Sequence, residues 1–128
     1  MVQDNIPHPE IKPDCPKETI FQVINPFGEE VYVAGSHVAI YWTGGPVGVQ
    51  RVNIQLIDLQ LWIVWHNITL DYENNQPLGA FHWEIPADLK VDPTHDYQVY
   101  IENVERTNWH YGANFNILRP WINAAPLT

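Results

Sequence analysis

The segment Ser36-His37-Val38-Ala39-Ile40-Tyr41-Trp42-Thr43 decides the fold class. Val38, Ile40 and Trp42 occupy every second position, which in a pleated strand puts them on one face. Four further sets repeat the pattern: Val52/Ile54/Leu56, Phe81/Trp83/Ile85, Tyr97/Val99/Ile101 and Phe115/Ile117. No stretch carries apolar residues at helical spacing over three turns. Strands are predicted over 19–24, 30–33, 36–43, 49–58, 61–66, 79–85, 96–103 and 112–118. Each is bounded by a turn cluster such as Asn25-Pro26-Phe27-Gly28, Gly44-Gly45-Pro46 or Asp92-Pro93. The expectation is an all-β, antiparallel β-sandwich of about seven to eight strands, cored by the five alternating sets.

Around these strands the chain is short of everything a second domain needs. At 128 residues it suits one core, and 45% hydrophobic residues supply the side chains for it. Residues 1–18 hold Pro7, Pro9, Pro13 and Pro16 among charges and read as an extended N-terminal arm; residues 119–128 read as a C-terminal tail. The single cysteine, Cys15, has no internal partner and no metal-ligand spacing. A basic-then-apolar leader is absent at Met1, so the chain is read either as cytosolic or as the mature part of a processed, secreted protein.

Charge narrows the function. Six Lys and Arg face 15 Asp and Glu, a formal charge of −9, and the cations are scattered, which opposes both nucleic acid and an anionic membrane surface. The longest apolar run, Leu61-Trp62-Ile63-Val64-Trp65, is too short to insert in a bilayer.

The core residues also carry a resemblance. Ile24-Asn25-Pro26, Val33-Ala34-Gly35-Ser36, Val38-Ala39-Ile40-Tyr41-Trp42-Thr43, Val52-Asn53-Ile54-Gln55-Leu56, Gly79-Ala80-Phe81-His82-Trp83-Glu84-Ile85-Pro86 and Tyr97-Gln98-Val99-Tyr100-Ile101 resemble the immunoglobulin-like domain of fungal Kre/Knh-type cell-wall proteins, the Ser-Thr-rich GPI-anchored membrane family. The resemblance spans about residues 20–118. It implies an immunoglobulin-like sandwich and an extracellular or cell-wall location after loss of a signal peptide. It also implies a role beside β-glucan, without catalytic apparatus or cofactor. The family's Ser/Thr-rich stalk has no counterpart, since Ser36 is the only serine.

Strand phase then nominates a surface. If the strands over 49–58, 96–103 and 112–118 neighbour one another as in an immunoglobulin-like sandwich, their outer faces carry Arg51, Asn53 and Gln55, then Gln98, Tyr100 and Glu102, then Asn114 and Asn116. Sugar rings stack their C–H faces on aromatics and bond their hydroxyls to planar amides. Asn53, Gln55, Gln98, Tyr100 and Asn114 are therefore the expected carbohydrate contacts, with Trp109 and Tyr111, in the turn joining the last two strands, as stacking groups. For Trp109 the reading as a lid folded over the sandwich end stands ahead of the stacking role. Trp42 and Trp83 fall in phase with the core.

The 61–66 strand supports an alternative from another class. Leu61/Ile63/Trp65 and Trp62/Val64 make both of its faces apolar, so Trp62 and Val64 are expected under a cover: the arm, the tail, or a second copy in a homodimer. That reading makes the chain a protein-interaction module.

Other chemistry is thinly represented. Asn67-Ile68-Thr69 is an N-glycosylation sequon, placed where the 61–66 run gives way to the polar segment 71–75. The six histidines show no metal-ligand spacing on one element, and no metal is expected; the pairing worth checking is His82 with His37 on a neighbouring strand. Ser36 lacks a nucleophile context. Glu84 and Glu102 are outward strand residues, and Asp58, Asp71 and Glu73 are in turns, so neither acyl transfer nor glycoside cleavage is expected.

Overall fold

The structure, a computed structural model, describes residues 21–44, 50–74 and 78–120. The expected 1–18 arm lies outside these residues, as does the tail apart from Arg119 and Pro120. Nine strands and no helix are present among the described residues: β1 (Gln22–Asn25), β2 (Val31–Val33), β3 (His37–Thr43), β4 (Gln50–Asp58), β5 (Ile63–Asn74), β6 (Leu78–Glu84), β7 (Tyr97–Asn103), β8 (Trp109–Tyr111) and β9 (Asn116–Leu118).

The two main sheets are antiparallel. One has the order β1-β3-β6 and the other β5-β4-β7-β8, while β2 and β9 form a short parallel ladder. Between the sheets lies the core. Val38, Ile40 and Trp42 of β3 and Trp83 of β6 face Val52, Ile54 and Leu56 of β4 and Tyr97, Val99 and Ile101 of β7. Ile85, Phe115 and Ile117 complete it, and Phe81 packs at its margin. The five alternating sets are thus the core of an all-β sandwich, because period-2 patterning leaves a strand only one apolar face to bury.

Four local expectations are corrected. The segment read as a 61–66 strand is a turn followed by a strand over 63–74, so 71–74 is strand rather than loop. The β4–β5 ladder has three register shifts, and those at Trp65 and Ile68 give β5 extra residues that pack onto the core. The last predicted strand, 112–118, is shorter and divided: Trp109–Tyr111 is itself a strand, not a turn, and Asn116–Leu118 pairs with β2. Phe115 bridges to Tyr97 between them.

β4 and β7 are direct neighbours over seven residue pairs, from Val52↔Asn103 to Asp58↔Tyr97. That register sets Gln55 opposite Tyr100 and Asn53 opposite Glu102. β8 then sets Tyr111 opposite Tyr100 and Trp109 opposite Glu102.

Candidate functional site

The outer face of the β5-β4-β7-β8 sheet is not uniformly polar. Its centre is a second hydrophobic cluster built on Ile57 and Tyr100, with Leu59, Val64, Trp109 and Tyr111 packed against it. Tyr100, expected to be the exposed central aromatic, is 1% exposed. The correction has a physical cause. Tyr111 covers its ring at 4.7 Å between centroids, and Ile57 of the neighbouring β4 clusters with it. Burial, followed by the nearby Glu102 charge, raises the Tyr100 phenol far above its ordinary range. The same causes push Tyr111 up to about 12.

Over this cluster lies Trp62. Its indole stacks on Tyr111 with 20° between the planes and 6.1 Å between centroids, and it is 51% exposed. The residue sits in the β4–β5 turn with φ 59°. Asp58 builds that turn: its Oδ1 accepts the N–H groups of Gln60 (2.9 Å) and Leu61 (3.1 Å), and its carbonyl accepts the Trp62 N–H (2.7 Å). An Asp side chain bonding the backbone two and three residues on is a recurrent turn device. Trp62 and Val64, expected as an interface pair, therefore share one face with the expected sugar contacts.

The amides flank the aromatic ridge in pairs. Gln55 Nε2 donates to Asn67 Oδ1 at 2.9 Å, and Gln98 Nε2 donates to Asn114 Oδ1 at 2.8 Å. The Gln55 Oε1 atom is buried without a hydrogen-bond partner. Asn53 is occupied otherwise, since its Nδ2 donates to Glu102 Oε2 and its Oδ1 accepts the Asp71 N–H. Glu102 itself is buried. Its carboxylate also accepts the Tyr100 hydroxyl at 3.0 Å and faces Arg106 at 3.3 Å. These bonds compensate a charge that would otherwise be costly to bury.

The structure thus brings Gln55, Gln98, Tyr111, Asn114 and Trp109 to one face, with Trp109 half-buried against the cluster. It withdraws Tyr100 and Asn53 from the surface contacts by burial and by prior bonding. Sequence reasoning missed Trp62 as the exposed ring of this ridge. The signal was Asp58 two residues before Gln60 at a strand's end, which marks a turn, but the apolar run from Leu61 to Trp65 obscured it.

Asn67 is exposed on the same face, within β5 rather than beside a loop. On the opposite sheet His37 and His82 do meet, with ring centroids 5.2 Å apart and both side chains exposed. Among the described residues no group of three or more His, Cys, Asp or Glu side chains is arranged to hold a metal ion. A depression of about 380 Å³ lined by Trp65, His66, Pro86, Leu89 and Lys90 lies away from the ridge. There His66 stacks on Trp83, and burial lowers its pKa. No helix among the described residues is long and apolar enough to cross a membrane.

No protein-family model matches this chain, and no curated protein does.

Proposed function

We propose that the outer face of the β5-β4-β7-β8 sheet is a non-catalytic carbohydrate-contact surface, with Trp62 as the stacking residue. The observation that carries the reading is the half-exposed Trp62 ring, held parallel to Tyr111 beside the Gln55–Asn67 and Gln98–Asn114 amide pairs. A rigid aromatic plane accepts the C–H face of a pyranose, and fixed amides bond its hydroxyls. The Kre/Knh resemblance supports an immunoglobulin-like, secreted, wall-associated domain and makes β-glucan the first polymer to test.

A second reading rests on the same residues. Trp62 and Leu61, both about half exposed, with Val64 beneath, suit a contact between two copies or with a protein partner. One experiment separates the two. The purified chain and its Trp62→Ala variant are applied to insoluble β-1,3-glucan, β-1,6-glucan and chitin, with sedimentation velocity in parallel. Retention by one polymer, lost in Trp62→Ala while both proteins sediment as monomers, is the expected result. No retention by any polymer, with a dimer that Trp62→Ala dissociates, would replace the carbohydrate reading with the interaction module. A glycan on Asn67 would stand beside Gln55 on this face, so the assay uses chain without that modification.

A further inference from the structure

We propose that His95 is a positioning residue for Trp62: when protonated it bridges Asp58 and Asp92 and fixes the 58–62 turn, and its deprotonation loosens Trp62 from Tyr111. The inference rests on the carbohydrate reading only for its consequence, which is a contact face that works in mildly acidic surroundings.

The geometry is a chain of contacts from the ring to the platform. His95 Nδ1 lies 2.8 Å from Asp58 Oδ2, and Nε2 lies 3.3 Å from Asp92 Oδ2. Asp58 is 1% exposed and uses its other oxygen to hold the N–H groups of Gln60 and Leu61. The turn is tied a second time to the same loop, because the Leu59 N–H donates to the Asp96 carbonyl and the Asp96 N–H donates to Gln60 Oε1. From β9, Asn116 Nδ2 bonds the His95 carbonyl and Asp96 Oδ1. The Tyr97 hydroxyl accepts the Asp92 N–H, and Arg119, whose Nε donates to the Val91 carbonyl, faces Asp92 from beyond it. The ring therefore sits among Asp58, Asp92 and Asp96.

Both ring nitrogens face carboxylates, and only imidazolium has two donors for them. A neutral ring keeps one bond and presents a lone pair to the other carboxylate. The bond to Asp58 is the main cause that raises the His95 pKa; burial opposes it, and the charges of Asp58, Asp92 and Asp96 add to it. A raised folded value means that this contribution to stability is complete below the ordinary histidine value of about 6.5. It is lost as pH rises through the folded value.

The test is an NMR titration of the full chain from about pH 5 to 9, the range that brackets histidine ionisation. It follows the His95 ring and the Trp62 indole N–H, assigned with Trp62→Phe. The Trp62 resonance should shift with the midpoint of His95, and that shift should vanish in His95→Gln. A Trp62 resonance that stays flat across the His95 midpoint overturns the proposal, as does a transition that persists in His95→Gln. Where His95→Gln does not fold, Asp92→Asn keeps the Asp58 bond and lowers the His95 midpoint; the Trp62 midpoint must fall with it, and an unmoved one overturns the coupling. Polysaccharide retention at both ends of the range keeps the two ideas apart. Coincident midpoints without retention support the coupling and remove the sugar role. Retention beside a flat Trp62 resonance removes the coupling alone.

Discussion

At Gly79, one hydrogen atom decides whether the sandwich closes. A Cβ built there would lie 2.0 to 2.4 Å from three atoms of the Trp42 indole, a residue with no exposure at the centre of the core. Core rings cannot retreat, because interiors are packed at crystal density. Gly79→Ala is expected to cost about 3 kcal/mol, the upper part of the overpacking range, read as a lower denaturant midpoint at unchanged slope. Trp42→Phe in the same background should recover part of the loss by vacating the contested space; the smaller ring also removes the Trp42 Nε1 donor, which is buried without a partner. A double-mutant cycle measures the recovery, and additive losses would show that the strain lies elsewhere. Trp62 behaves oppositely. Half exposed, it is expected to cost under about 1 kcal/mol when truncated, so lost retention in Trp62→Ala reports contact rather than unfolding.

Strands paired through alternating core residues are the elements legible in the sequence. β3, β4, β6 and β7 follow from positions two apart, whereas the adjacency of β4 and β7 was expected only by analogy with an immunoglobulin-like sandwich and is supplied by the ladder itself. What escaped was set by partners. The bulges at Trp65 and Ile68 fit the twelve residues of β5 against the nine of β4, and neither strand alone reveals that register. The β8 strand, three residues long, acquires its identity from Tyr100 and Glu102 across the ladder. For the same reason the second cluster was unreadable: Ile57 is one residue out of the core phase of β4 and looks like the end of a strand. The β7–β8 ladder has a measurable signature. Tyr100 and Tyr111 both resist ionisation, Tyr111 to about 12, through burial and then Glu102. Raised folded values mean that this stabilisation is complete below the ordinary tyrosine value of about 10 and is lost as pH climbs toward the folded values. Tyrosinate absorbance should therefore show these two phenols ionising only with alkaline unfolding. Tyr111→Phe should remove one late-titrating group, and early ionisation of all the tyrosines would contradict a dry cluster.

Charge acts on the whole molecule rather than on any one contact. With a formal charge of −9 and a pI near 4.8, copies repel one another at pH 8 and lose that repulsion near pH 5. The histidines do not contribute equally to that loss, since burial lowers the His66 and His110 values while His95 is held protonated to higher pH. Once repulsion fades, exposed apolar side chains govern association. The outer face of the β1-β3-β6 sheet presents Ile24 at 46%, Tyr41 at 43% and Leu78 at 57% exposure, on neighbouring strands. Solubility should therefore pass through a minimum near pH 5, and light scattering should change from net repulsion to net attraction between pH 8 and that minimum. Ile24→Asp with Leu78→Asp places charge on the apolar patch and lowers the isoelectric point. This pair should move the minimum downward and raise solubility at pH 5, whereas Trp62→Ala, on the other sheet, should leave the β1-β3-β6 association intact. A minimum that ignores the Asp pair but disappears in Trp62→Ala would transfer self-association to the aromatic ridge, because only that face would then be attractive when the charges no longer keep the copies apart.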